Sequence, residues 1–136
     1  MADLYEDDIL LWSERQGELL RRRAAGELVN EADLDWPNIA EEIESVGRSE
    51  LRSCSSLLEQ ALLHMLKGWA WPRSRDAPAW HSDAILLRHQ ATDAFAESMR
   101  QRLNIQRIYR RALRALPKSV DGLPPLPVPE RCPVTL

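Results

Sequence analysis

The stretch DWPNIAEEIESVGRSELRSCSSLLEQALLHMLKGWAW, residues 35–71, decides the fold of this 136-residue chain. Apolar side chains recur at Ile39, Ile43, Val46, Leu51, Cys54, Leu58, Ala61 or Leu62, Met65 and Trp69. Steps of three and four place them on one stripe of a helix. Asp35 offers an N-cap and Pro37 suits the first turn, with Glu41, Glu42 and Glu44 near the positive end of the dipole. Lys67 falls in the last turn, Gly68 weakens it and Pro72 stops it.

Such a helix is long for its chain. About 34 residues at ~1.5 Å each give roughly 50 Å. A compact domain of this size is about 37 Å across. The helix is therefore expected either to bend, at Gly47, or to have its overhang covered by another chain. The stripe is expected to be closed over, since each large apolar side chain gains ~1.5–3 kcal/mol on burial.

Working outward, residues 3–25 read as a helix with Tyr5, Ile9, Trp12, Gln16, Leu19 and Leu20 on one face. Asp3, Glu6, Asp7 and Asp8 load its start, Arg21, Arg22 and Arg23 its end, and Gly26 is placed to terminate it. Residues 26–34 form a loop from which Leu28 and Leu34 can tuck into the core. Asp33 and Asp35 compete for the cap of the long helix. A polar connection, residues 72–78, leads to a third helix from about Pro78 to Glu97, with Trp80, Ala84, Leu87, Ala91, Ala94 and Phe95 inward. Ser98 is expected to cap a fourth helix to Leu116, carrying Leu103, Ile105, Ile108, Tyr109 and Ala112 on its buried side and many arginines outside.

Pro117 ends that helix. Prolines at 124, 125, 127, 129 and 133 then impose an extended, polyproline-like path with few backbone donors. The expected fold class is all-α: a bundle of about four main helices around one long central helix, with an extended proline-rich C-terminal tail. Residues 1–116 form the bundle domain and residues 117–136 the tail, packed on it or extending from it.

The net charge of −3 hides an asymmetry. Residues 1–50 hold 14 acidic and 5 basic side chains, a net −9, while residues 51–136 hold 7 and 13, a net +6. Opposite halves attract, within one chain or across a symmetric dimer. Cys54 and Cys132 are the two cysteines. Without a secretory leader or a run of about 18 apolar residues, the expectation is a cytoplasmic, disulfide-free protein with no membrane association.

Five motifs now stand together. They are Tyr-x-x-Asp-x-x-x-Trp at 5–12, Ile-Ala-Glu-Glu-Ile-Glu-Ser-Val-Gly-Arg-Ser-Glu at 39–50, Leu-Leu-His-Met-Leu-Lys-Gly-Trp at 62–69, Trp80 followed by Ile85 and Arg88, and Cys-Pro-Val-Thr-Leu at 132–136. In this the chain resembles the bacterial domain-of-unknown-function family 29 over essentially its whole length. The resemblance implies a small, soluble, helical protein and implies no chemistry. Residues 98–103 lack the Ser-Pro turn associated with that family, and its members usually continue past the position of Leu136 into a short helix.

Candidate sites are each weighed against packing. His64, at the edge of the stripe, is either a packed histidine or the centre of a metal or catalytic site with Glu42 or His81. His81 and His89 stand about two turns, ~12 Å, apart, too far to share one ion at ~2 Å bonds. No Glu-x-x-His, His-x-x-x-His or Cys-x-x-Cys spacing occurs, so no metal and no cofactor is expected. Glu41, Glu42, Glu44, Arg48, Glu50 and Arg52 form the densest charged cluster, a solvated face or a partner-facing network. Trp69, Trp71 and Trp80 either line a pocket or plug the end of the bundle. Arg100, Arg107, Arg110, Arg111 and Arg114 form a candidate partner-binding face, to the acidic half or to nucleic acid. No DNA-binding motif, phosphate loop or nucleophile–base signature accompanies them.

The leading expectation is a non-enzymatic protein–protein interaction module that self-associates, as a homodimer. The alternatives are a metal-binding or hydrolytic bundle centred on His64, and a nucleic-acid accessory protein using the last helix.

Overall fold

The structure, a computed structural model, describes residues 3–136. Among the described residues it is helical, without strands. The α-helices are α1 (Leu4–Asp7), α2 (Ile9–Ala24), α3 (Trp36–Ala70), α4 (Ala77–Ala94) and α5 (Ile105–Ala115), with short 3-10 turns at Glu31–Asp33 and Glu97–Met99. The chain divides into two compact units, the first ending at Gly47 and the second spanning Arg48–Leu136, so the boundary falls inside α3.

In the first unit, the single helix expected over 3–25 is broken at Asp8. Asp3 accepts the Tyr5 N–H at 3.1 Å and starts α1. Asp8, whose backbone leaves the helical region, accepts the Leu11 N–H at 3.0 Å and starts α2. A run of carboxylates offers two caps, and each cap begins its own helix. Gly26, at φ +86°, ends α2, and the Glu27 N–H returns to the Arg22 carbonyl at 3.0 Å.

Trp12, Leu34 and Ile39 make this unit's core, with Leu4, Tyr5, Leu19, Leu20 and Val29 packed around them. Leu34 tucks in as expected, whereas Leu28 is 97% exposed. The stripe of α3 is not closed over its whole length. Packing covers Ile39, but Ile43 and Val46 remain 69% and 63% exposed. The first unit's cluster reaches Ile39 and goes no further along the helix.

The second unit is built around Cys54, Leu62, Leu66, Leu103, Ile108, Tyr109 and Ala112. Leu66 and Tyr109 are enclosed completely. Helix α4 ends at Ala94, before the expected Glu97, because Phe95 turns extended. A turn separates α4 from α5, but Ser98 does not cap the last helix. Asn104 does, its Oδ1 accepting the Arg107 N–H at 3.0 Å. Leu103 is buried from the turn before α5 instead of from the helix, and Arg100 and Arg102 also precede α5.

After α5, Asp121 (φ +52°) and Gly122 (φ +77°) are both left-handed, closing a tight turn in which Val120 and Leu123 exchange hydrogen bonds of 3.0–3.1 Å. Two successive positive φ angles suit Asp-Gly better than almost any other pair. The proline-rich residues beyond are held by groups on the helices and on the residues beside them. Trp71 Nε1 donates to the Leu123 carbonyl at 3.0 Å. The Tyr109 hydroxyl donates to the Pro129 carbonyl at 2.5 Å. Gln106 accepts the Cys132 N–H at 3.0 Å, and Arg100 Nη1 donates to the Leu136 carbonyl at 2.8 Å. The Leu126 N–H, one of the few the segment keeps, reaches the Ala70 carbonyl at 3.0 Å.

Candidate functional site

The second unit carries an apolar groove of about 900 Å³. The C-terminal half of α3 lines one side through Leu58, Leu62, Met65 and Trp69, and α4 lines the other through Ala84, Ile85 and Ala91, with Phe95 just past its end. Ile105 and residues 134–136 also line it. The amphipathic stripe of α3 explains the first side, since the residues that face the core continue out along the same stripe. The groove is open: Trp69, Ile85 and Val134 are 43%, 46% and 42% exposed.

His64 lies in this groove and not in closed packing. Its Nδ1 stands 2.8 Å from the Gln60 carbonyl. A carbonyl only accepts, so Nδ1 carries the proton and Nε2 is the free nitrogen of the neutral ring. Nε2 is 3.9 Å from an Asp83 carboxylate oxygen, beyond hydrogen-bond range. His81 lines the groove from α4. Cys54 sits at its base, fully buried, and burial pushes its thiol pKa up, which keeps it a weak nucleophile. Among the described residues no group of three or more His, Cys, Asp or Glu side chains is placed to hold a metal ion.

The tryptophans divide between the two readings. Trp69 lines the groove. Trp71 is buried and meets Trp80 edge-on at 6.5 Å, with the Lys67 ammonium 6.0 Å from the Trp80 ring. Trp80 thus packs on Trp71 and is not among the residues that line the groove.

Glu42 lies in the first unit and is engaged there. It accepts the Tyr5 hydroxyl at 2.5 Å, and Ser45 Oγ reaches it at 3.4 Å. That hydrogen bond to a carboxylate, with a smaller contribution from burial, pushes the Tyr5 pKa up to about 12. Arg48, Glu41 and Glu44 all have interaction partners. Of the last-helix arginines, Arg107, Arg110, Arg111 and Arg114 are exposed on α5, and Arg111 pairs with Glu59 at 2.9 Å. Arg100 lies apart from them, forked onto Glu97 at 2.8 and 3.2 Å and stacked on Phe95 at 5.2 Å. That pairing lowers the Glu97 pKa.

One further polar cluster had no signal beyond a candidate cap. Asp35 accepts the Trp12 indole N–H at 2.9 Å and the Asn38 amide at 2.8 Å. Its own N–H donates to Gln16 Oε1 at 2.9 Å, and Gln16 Nε2 donates to the Asp33 carbonyl at 3.0 Å. The Asn38 amide above all, then Trp12 and the Asn38 N–H, hold this carboxyl below its ordinary pKa against the opposing effect of burial. Every donor and acceptor here serves the start of α3, so the cluster is structural. The groove residue sequence reading missed as a site is Arg88, whose only trace was its place in the Trp80, Ile85, Arg88 motif.

A family model described as "Domain of unknown function DUF29" matches residues 4–136. Among solved structures, the chain is similar to an alpha-helical protein of unknown function from Rhodospirillum rubrum, at 29% identity and a TM-score of 0.69. The likeness covers 99% of this chain and 87% of the other. No curated protein matches. No helix among the described residues is long and apolar enough to cross a membrane.

Proposed function

The chain belongs to the DUF29 family, and from that premise we propose that it is a non-enzymatic protein–protein interaction module. The open groove of the second unit takes the apolar face of a helix from another protein. The observation that carries this reading is an open groove lined by apolar side chains of both α3 and α4, with Trp69 and Ile85 left largely uncovered. Helix-in-groove recognition needs such a lining and such anchors. An enclosed pocket would suit a small molecule better, since those sites cover most of their ligand.

Self-association into a homodimer is a second part of the reading. It is supported by the exposed Ile43 and Val46 and by the opposed net charges of residues 1–50 and 51–136. A reducing, cytoplasmic setting fits Cys54 and Cys132, both free thiols.

The test is calorimetry of the full chain with synthetic helical peptides carrying an i, i+3, i+7 apolar face. Micromolar binding that Ile85→Glu abolishes supports the module. No binding by any such peptide overturns it. Light scattering on the eluted protein tests the dimer, and a monomer at micromolar concentration removes that part.

A further inference from the structure

The groove's rim narrows the partner further, on the premise that the groove is a helix-docking site. Among the residues that line it, the titratable side chains other than the buried Cys54 are His64, His81, Arg88 and Arg100. Not one lining residue is Asp or Glu. Two carboxylates stand nearby. Asp83 is 3.9 Å from His64, and Glu97 neutralises Arg100, which also holds the Leu136 carbonyl. Arg88 differs from Arg100. It is exposed on α4, one turn from Ile85, and has no ion-pair partner among the described residues. An apolar trough flanked by an uncompensated guanidinium attracts negative charge and repels positive charge.

We propose that the α3–α4 groove docks an acidic amphipathic helix of a partner protein, its apolar face between Trp69 and Ile85 and a carboxylate on Arg88. A bidentate Arg–carboxylate contact makes two parallel hydrogen bonds and adds geometric specificity to the docking. Surface charge of this kind sets partner choice and encounter rate more than total affinity. The apolar anchors hold the helix, and Arg88 selects its sign.

The experiment compares two synthetic helices of about 18 residues with the same leucine face, one otherwise Glu-rich and one otherwise Lys-rich. Each is titrated into the full chain, into Arg88→Glu and into Ile85→Glu, at low and high salt. The acidic peptide is expected to bind at least about tenfold tighter than the basic one at low salt, with the gap narrowing as salt screens it. Arg88→Glu is expected to erase or reverse that preference, and Ile85→Glu to weaken both peptides.

Equal or tighter binding of the basic peptide overturns the acidic partner and leaves the docking module standing. A preference that survives Arg88→Glu does the same. Binding of neither peptide overturns the module itself, and palmitate binding where both peptides fail assigns the groove to a small amphiphile. A chain that is dimeric as wild type and monomeric as Ile85→Glu assigns the groove to a second copy, which also overturns the proposal. Far-ultraviolet circular dichroism of both variants checks that helix content is kept.

Discussion

The indole Nε1 of Trp12 donates to the carboxylate of Asp35 at 2.9 Å, joining residues 23 apart in sequence. Trp12 is 6% exposed, so its N–H has little access to water in exchange. The same carboxylate stands at the N-terminus of α3, where helix N–H groups lack partners. One side chain therefore closes two accounts of unmet hydrogen bonding at once.

Asp35→Ala should destabilise the first unit by about 1–3 kcal/mol, combining the loss of a helix cap with an unpaired indole. Urea unfolding followed by circular dichroism measures it. Because the Asp35 pKa is depressed on folding, its contribution is fully present above the unfolded carboxyl value of about 4 and is lost as pH falls through the folded value. Wild type should lose more stability than Asp35→Asn over that acid range.

Tyr5 should ionise late. Its pKa is pushed up to about 12 by the bond to Glu42, against an ordinary value near 10. The folded state thus holds the phenol proton more tightly. Stability from this pair is complete below about pH 10 and is lost as pH rises through 12. The difference in phenolate absorbance between wild type and Tyr5→Phe gives the Tyr5 titration, and Glu42→Gln should move it back toward 10.

The tail's anchorage is open to proteolysis. Gln106→Ala removes the acceptor of the Cys132 N–H, next to the tryptic position Arg131. Cleavage there should speed up at least severalfold while the helices stay intact. Tyr109→Phe should show the same loosening, with a stability loss of about 1–2 kcal/mol for a buried hydroxyl bond.

The thiols should separate by reactivity. Cys54 is fully buried, with its pKa raised by burial, while Cys132 is partly exposed. Under native conditions a disulfide reagent should label Cys132 at least tenfold faster than Cys54, and the two rates should converge in denaturant. Leu66→Ala, in the same core, should cost about 2–5 kcal/mol.

The long helix was legible because its signals are local. Residue spacing, a Pro in the first turn and a Pro past the end mark it within one or two residues of Trp36–Ala70. The all-helical class and the family followed from the same kind of pattern. Periodicity names a face without saying what covers it, so Ile43 and Val46 looked as core-bound as Ile39. Caps were harder to place: Asp8 starts a second helix inside what reads as one, and Asn104, six residues past Ser98, starts the last. His64 could be singled out, but whether it met a cavity depended on α4, packed from far along the chain. Tyr5 with Glu42 and Trp12 with Asp35 are side-chain meetings at 37 and 23 residues' separation, and no spacing rule announces them.

The turn at Asp121–Gly122 leads into a ribbon with prolines at 124, 125, 127, 129 and 133. Exposed Leu123 and Leu126 would make an ordinary ribbon a template for stacking against its neighbours. Prolines offer carbonyls but no N–H, and a strand ladder needs both. The chain can thus show grease at its end and still resist fibril growth, whereas replacing those prolines with alanine would remove that protection before it changed the fold.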